Sequence, residues 1–422
     1  MARVRKVRKS KLNGSTGEIR VKHPNAFLYG FAYIIAYPML KLLFRLDDGR
    51  RDFVPPEGPF LVISNHSTML DFLFVMLPFY PRRINAVTSN RYFFKRPLSK
   101  ILPVMGCIPK SQFEPDVLSI RKVKTVLNRG GSILLFPEGR CSTDGSFAGI
   151  HRSTGKLVKN LNVPVVSCYI DGAYTCVPHW RKGIRLGRVR VSMANLFSAE
   201  EIQSLSVEEI NEAIITRLRG EDNARSGKPI RTFTSRRLAE GLEKILYWCP
   251  KCGKELTMTT KGNQLQCSAC GNSAVMDNRG RLTALSGSVA PESIHSWYAE
   301  QANQISKWLR EDMEPLKIPV SVHVTGSKYR DGAITTGSGV LRVDPSGFTF
   351  VGKLGGEDCE VFFPVETVPA LPFEYNDNFQ IFSTGNIYRF SPDDPRRSAM
   401  YALLGEVAHQ RFSSRVLMTK GE

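Results

Sequence analysis

Leu61-Val62-Ile63-Ser64-Asn65-His66-Ser67-Thr68-Met69-Leu70-Asp71 reads as a strand that ends in a turn and then enters a helix. Leu61, Val62 and Ile63 make a short apolar run of the kind buried inside a sheet. Thr68 followed three residues later by Asp71 has the form of a capping box, which predicts a helix start with Asp71 in its first turn and the apolar segment 72–77 beyond it. On one continuous helix, residues five apart point roughly 140° away from each other, so His66 and Asp71 would never meet. With His66 still in the turn, they can. An imidazole held by a carboxylate is a general base of fixed tautomer, able to take a proton from a hydroxyl and later protonate a leaving group. No Gly-x-Ser-x-Gly elbow occurs in the chain, which argues against a covalent serine mechanism and for direct attack by a substrate hydroxyl. The plain alternative is a strand-to-helix turn whose His and Asp merely cap.

A second stretch weighs against that alternative. Ser132-Ile133-Leu134-Leu135-Phe136-Pro137-Glu138-Gly139-Arg140 runs from an apolar strand straight into a polar turn, the arrangement expected at the carboxyl end of a strand in an α/β sheet. Arg140 can grip a phosphate bidentately, and Glu138 can accept from a substrate hydroxyl. Alone, the pair could equally be a surface ion pair. Around these two stretches strands and helices alternate. A strand is expected at 82–90, a strand end carrying Lys110, a basic amphipathic helix over 116–130 closed by Gly130 and Gly131, a helix over 155–161 and a buried strand over 163–170. Between Arg91 and Gly106 cations alternate with large apolar groups, which suits a surface meeting acyl chains and phosphates together.

Asn65-His66-x4-Asp71 resembles the HX4D signature of the glycerophospholipid acyltransferases, the family that includes 1-acylglycerol-3-phosphate acyltransferase. Phe136-Pro137-Glu138-Gly139-Arg140 resembles that family's third block, and Val163-Pro164-Val165 its fourth, in the same order and spacing. The resemblance covers residues 27–187. It implies transfer of an acyl group from a thioester of coenzyme A or acyl carrier protein to a glycerol hydroxyl at a membrane. It also implies His66 as base, Asp71 as its orienter, and Asn65, Glu138, Gly139 and Arg140 lining the acceptor site. The family's second block often ends in an arginine that holds acceptor phosphate. Lys110 is the nearest match here, a point charge rather than a fork.

Composition agrees. A chain of 422 residues with 42% hydrophobic content supports two or three globular domains. A formal charge of +19 and a pI near 9.6 call for an anionic partner: anionic lipid, nucleic acid or a phosphorylated substrate. Arg3, Arg5, Lys6, Arg8, Lys9 and Lys11 form a basic arm with no acid before Glu18. Residues 24–40 are uncharged but interrupted by Pro38, short of the roughly 20 apolar residues that span a bilayer. Phe27, Phe31, Ile34 and Ile35 fall on one helical stripe with Tyr29, Tyr33 and Tyr37 nearby. A helix lying on an anionic membrane surface, on its cytoplasmic side, is expected.

Beyond residue 187 the pattern changes. A capped helix is expected over 198–218, then a polar, basic linker over 221–234. Cys249-Pro250-Lys251-Cys252 and Cys267-Ser268-Ala269-Cys270, each followed by Gly, have the spacing of two zinc knuckles. Four thiolates leave a zinc ion no open position, so this ribbon is expected to be architectural. The other five cysteines, Cys107, Cys141, Cys168, Cys176 and Cys359, are scattered, which fits a reducing compartment. Ile294, Trp297, Tyr298, Ile305 and Trp308 mark one face of a helix, expected to be buried. Short strands at 340–343, 348–351, 361–363, 379–382 and 387–390, closed by a helix over 398–412, resemble a pleckstrin-like module. The expected organisation is a basic arm (1–24), an α/β acyltransferase domain with a mixed or parallel sheet flanked by helices (25–235), a zinc ribbon (236–285) and a β-rich accessory domain (286–422). The rival reading is a nucleic-acid-binding protein built on the ribbon and the basic arm. It has no use for the His66–Asp71 turn.

Overall fold

A computed structural model describes residues 21–220, 233–310, 313–326 and 334–418, the last six of these without their side chains. The basic arm and most of the linker over 221–234 lie outside them. The first unit is built on a six-stranded sheet. Strand β1 (Leu61–Ser64) pairs in parallel with β4 (Ser132–Leu135) on one side and β5 (Val165–Asp171) on the other, while β2 (Ile84–Ser89) and β3 (Ile108–Lys110) extend the β4 edge. Arg190–Phe197 closes the opposite edge antiparallel to β5. The α/β expectation therefore holds, as a mixed sheet. Alternate residues of β1 enter different cores: Leu61 and Ile63 face one with Ile133 and Val158, Val62 the other with Leu134 and Val166. Burial on both faces is why the run is continuously apolar rather than alternating.

Helix α1 (Ala26–Leu43) is capped by Asn25, whose side chain accepts the Leu28 N–H at 3.0 Å. It continues through Pro38, against the expected interruption, although the proline nitrogen can donate no backbone bond. By length and composition alone it is long and apolar enough to cross a membrane. Tyr29 and Leu40 anchor it in the core, with the Tyr29 hydroxyl donating to the Met76 carbonyl. Phe27, Phe31, Ile34 and Ile35 are exposed, as the stripe predicted.

Four other expectations change. Thr68 does not form a full capping box: the Asp71 carboxylate reaches back to the Thr68 N–H, but the Thr68 hydroxyl takes the Leu70 N–H instead, and helix α2 (Asp71–Met76) starts at Asp71 itself. The single helix over 198–218 is two, Ala199–Ser204 and Val207–Arg219, because Ser206 with Glu209 builds a second full capping box. Trp308 is exposed while Trp297 and Tyr298 of helix Ile294–Trp308 are buried, Trp297 in the core shared with the ribbon and Tyr298 in that of the C-terminal sheet. Strand Leu316–Gly326 was not anticipated. Its Ile318, Val320 and Val322 alternate inward, with Pro319, a residue disfavoured inside strands, between them. The proline is tolerated because the ladder to Asn386–Pro392 begins only at Val320.

The ribbon strands, Met258–Lys261, Gln264–Cys267, Ser273–Met276 and Leu282–Ala284, form an antiparallel sheet. Leu265, Met276 and Trp297 join the same core as Val62 and Leu134. The last unit is a seven-stranded antiparallel sheet in which Leu316–Gly326 sits centrally between Ile334–Asp344 and Asn386–Pro392. Helix Ser398–Met418 covers it, burying Tyr401, Leu404 and Ala408 against Phe348 and Phe379.

Candidate active site

Parallel pairing aligns the ends of β1 and β4, Ile63 standing opposite Leu135. The turns that follow, one bearing His66 and the other Glu138 to Arg140, therefore emerge side by side. The His66 N–H donates to Glu138 Oε1 at 2.7 Å and the His66 carbonyl accepts from the Ser142 N–H at 2.8 Å, so the His66 turn is tied to its neighbour through both backbone groups. The other Glu138 oxygen accepts the Ala148 N–H at 2.8 Å. Burial pushes the Glu138 carboxyl up to about 7, against the opposing pull of these N–H donors and of His66. Glu138 thus clamps the His66 turn, each oxygen taking one backbone N–H, and it also lines the cavity described below.

Asp71 is fully buried and oriented from several sides. Oδ2 accepts the Ser67 N–H at 2.5 Å, the Thr68 N–H at 2.8 Å and His66 Nδ1 at 2.9 Å, and Oδ1 accepts the Thr68 hydroxyl at 2.8 Å. His66 stacks on Phe136 with centroids 4.1 Å apart. The carboxylate fixes a proton on Nδ1 and leaves Nε2 for the cavity. Burial would lower the His66 pKa, but Cys141 and Asp71 outweigh it and hold the imidazole well above its usual value.

The remaining predicted residues fall differently. Asn65 is buried and bonds β5 as a backbone would, donating to the Ile170 carbonyl at 2.9 Å and accepting its N–H at 2.7 Å. Its amide is engaged within the sheet, and Asn65 is not among the residues that line the cavity described below. Gly139 takes φ +71°, which a side chain would strain, and its carbonyl accepts from Gln112 Nε2 at 2.7 Å. Lys110 lines the cavity and donates to the Ser111 carbonyl at 3.0 Å, its pKa lowered by burial. Arg140 is the largest departure. Its Nη2 donates to Glu406 Oε2 at 2.8 Å and its Nη1 stands 2.8 Å from Glu406 Oε1, both groups being mostly buried. The open phosphate fork expected at Arg140 is occupied by a carboxylate from the C-terminal helix, a partner 266 residues away with no sequence signal.

These groups border a cavity of about 2410 Å³. It runs from Leu28 and Ile101, at the exposed apolar face, past His66 to Arg181 and Lys182, and Pro372, Tyr375 and His409 of the C-terminal unit roof it. Residues 46–171 match the family model described as Acyltransferase. This segment is acyltransferase-like. The chloroplastic 1-acyl-sn-glycerol-3-phosphate acyltransferase of Arabidopsis thaliana is 24% identical over 164 residues, 38% of this chain and 45% of that one. Its Brassica napus counterpart is 24% identical over 164 residues, 38% of this chain and 46% of that one. The chain spans less than half the length of these curated relatives. A solved 1-acyl-sn-glycerophosphate acyltransferase from Thermotoga maritima aligns at a TM-score of 0.40 with 16% identity, over 48% of this chain and 81% of that one.

Outside the acyltransferase segment, Cys249, Cys252, Cys267 and Cys270 converge with their sulfurs all within 4.8 Å of one another. Cys249 to Cys270 is 3.7 Å and Cys252 to Cys267 is 3.8 Å. A tetrahedral zinc with bonds of about 2.3 Å sets its sulfurs about 3.8 Å apart, so the donor set fits that ion. Gly253 and Gly271, both at positive φ, close the two knuckles by donating to the Cys249 and Cys267 carbonyls.

Proposed function

We propose that the chain is a membrane-associated O-acyltransferase, moving an acyl group from acyl-CoA or acyl carrier protein to a lysophospholipid hydroxyl, with 1-acylglycerol-3-phosphate as acceptor and phosphatidic acid as product. The observation that carries this reading is the His66 Nδ1–Asp71 bond of 2.9 Å, at a cavity continuous with an exposed apolar surface. Nε2 takes the acceptor hydroxyl proton as the oxygen attacks the thioester carbonyl, and the imidazolium returns it to the departing sulfur. Asp71 keeps the proton on Nδ1 throughout. Exposed Leu28, Phe72 and Ile101, next to the cavity mouth, give an acyl chain a continuous apolar path from a bilayer. The exposed stripe of α1 provides the monotopic contact, with anionic lipid favoured by the net charge and the cytoplasmic side by nine cysteines that form no disulfide among the described residues.

The zinc ion is structural in this reading, held by the four ribbon thiolates. The seven-stranded sheet with its covering helix acts as a pleckstrin-like accessory module. Nucleic-acid binding has no role for the paired turns of β1 and β4. The test is transfer from palmitoyl-CoA to 1-oleoylglycerol-3-phosphate in mixed micelles: His66→Ala should abolish it while leaving circular dichroism unchanged. Near-normal transfer by the folded variant would remove His66 as base.

A further inference from the structure

Arg181, Lys182 and Lys244 line one end of the cavity, beyond His66 from the apolar face of Leu28 and Ile101, and the proton transfers assigned to His66 give them no task. Two segments far apart in the chain bring them together. Residues 178–182 are fixed by buried Trp180, whose Nε1 donates to the Tyr174 hydroxyl at 3.0 Å, and that hydroxyl donates to the Thr143 carbonyl at 2.7 Å, beside Cys141 in the chain. Lys244 comes from the lead-in to the ribbon, and the ribbon holds it. Leu242, Ile245 and Leu246 are buried, the Gly241 N–H donates to the Thr260 hydroxyl at 3.1 Å, and the Ala239 N–H donates to the Gly262 carbonyl at 3.0 Å. The two segments meet at Gly241, where a Cβ would stand 2.6 Å from the Trp180 carbonyl oxygen, and at Ser235, whose hydroxyl accepts from Arg181 Nη1 at 3.3 Å. Charge at this end has one sign. Lys182 is exposed, Arg181 and Lys244 are half-buried, and none of the three is paired with a carboxylate among the described residues. The acids of the lead-in turn elsewhere, Glu240 to Arg237 and the Gly262 N–H, Glu243 to the Thr260 hydroxyl and the Gly241 N–H. Nearby, the buried guanidinium of Arg185 has its pKa lowered to about 10 by burial and then by Arg181. Toward Cys141, the Nε2 of His179 is buried in the cavity wall and makes no hydrogen bond of normal geometry. Cations gathered in a cleft without counter-ions draw a polyanion.

We propose that Arg181, Lys182 and Lys244 bind the diphosphate and 3′-phosphate of coenzyme A, so that acyl-CoA is the donor. The inference rests on the acyltransferase reading above. A lysolipid and the acyl chains reach His66 from a bilayer through the apolar face, which leaves the opposite, cationic end for the water-soluble part of the donor. With the thioester carbonyl at His66, the pantetheine arm runs past His179, where the ring nitrogen meets its amides, and ends among the three cations. Arg181 offers a planar fork to the diphosphate, and the two lysines act as point charges on flexible stems. The ribbon thereby gains a task beyond its own fold, because its strand and turn set the position of Lys244. An acyl carrier protein presents a single phosphodiester and no 3′-phosphate, and would leave part of this charge unmatched.

The experiment measures initial rates of the full chain in mixed micelles with 1-oleoylglycerol-3-phosphate and, in turn, palmitoyl-CoA, palmitoyl-dephospho-CoA, palmitoyl-pantetheine and palmitoyl-acyl carrier protein. Lys182→Glu and Lys244→Ala should each raise KM for palmitoyl-CoA by about tenfold, the effect falling on KM rather than kcat, with KM for the lysolipid unmoved. Wild-type KM should rise from palmitoyl-CoA to the dephospho form to palmitoyl-pantetheine, and the variants should match wild type on palmitoyl-pantetheine. Lys244→Arg should restore the value for palmitoyl-CoA. Lys182 is exposed, so its variant carries the test even where Lys244→Ala disturbs the ribbon. Three results would overturn the inference and leave the reading of the site intact: a KM rise for 1-oleoylglycerol-3-phosphate in place of the donor, weaker vesicle flotation with both KM values unchanged, or wild-type preference for palmitoyl-acyl carrier protein over palmitoyl-CoA. They would assign the charges to the acceptor phosphate, to the bilayer or to the carrier protein. No transfer by wild type from any of the donors would overturn both.

Discussion

Replacing Glu406 by Ala should free a buried guanidinium in the turn after β4. Arg140 and Glu406 are only 19% and 11% exposed at their side chains, and they join the β4 turn to the C-terminal helix. Removing one member of a buried pair leaves the other charge uncompensated, which costs about 3–5 kcal/mol. Pushed into local opening rather than global unfolding, that energy raises the opening equilibrium of the contact by on the order of 10²–10⁴. Hydrogen exchange of amides in the C-terminal helix and in the loop 139–146 is the assay, with wild type and variant compared at one pH. The double variant Arg140→Met, Glu406→Leu removes both charges and should recover most of the lost protection, since well-packed apolar replacements of buried pairs are often neutral or stabilising. Its transfer rate then separates the roles of Arg140. A stable double variant with normal transfer makes Arg140 a structural strut, and a stable one that has lost transfer shows that the guanidinium serves the reaction. Unchanged exchange in Glu406→Ala would refute the buried pair on which the reasoning rests.

The acidic limb of the transfer rate should lie above pH 6.5, because His66 must lose its proton to act as base and Cys141 and Asp71 hold that proton on; Asp71→Asn should move the limb down and lower the maximum by on the order of 10²–10⁴, read from pH–rate profiles. Glu138 has a folded-state pKa raised from 4.5 to about 7, so its contribution to stability is full below 4.5 and is lost as pH rises to about 7; Glu138→Gln should flatten this fall of at most roughly 3 kcal/mol in urea titrations at pH 5 and 8. Chelation of the ribbon metal should change fluorescence near Trp248 and also loosen the loop 142–146, because Trp297 donates to the Trp248 carbonyl at 3.0 Å and His295, two residues earlier, pairs with Asp144 at 2.7 Å. That coupling revises the simple separation of an architectural ribbon from the chemistry: transfer should fall in part, and an unchanged rate in metal-free protein would count against it. Membrane contact is best tested by Phe27→Ser, Phe31→Ser and Ile34→Ser together, since deleting α1 would also remove buried Tyr29 and Leu40; vesicle flotation should weaken, and more than it does in high salt.

Residues whose role depends on a local strand, turn or knuckle were legible in the chain. The apolar run Leu61 to Ile63 reads as a buried strand, and the structure places His66 in the turn at its end, where it meets Asp71 at the start of the following helix. The paired knuckles of Cys249, Cys252, Cys267 and Cys270 are equally local, because their spacing and closing glycines set the thiolates on adjacent turns. Tertiary structure decided the partners. Glu138 and Asn65 are polar residues in the motifs, and the fold pairs Glu138 with the backbones of His66 and Ala148 and Asn65 with that of Ile170, partners that no sequence spacing announces. Cys141 stood in the chain as an ordinary loop cysteine until the parallel register of β1 and β4 set its sulfur over His66. Glu406 meets Arg140 only because the C-terminal helix folds back across the cavity, and a contact so distant in sequence is fixed by the packing of whole units rather than by any pattern of neighbouring residues.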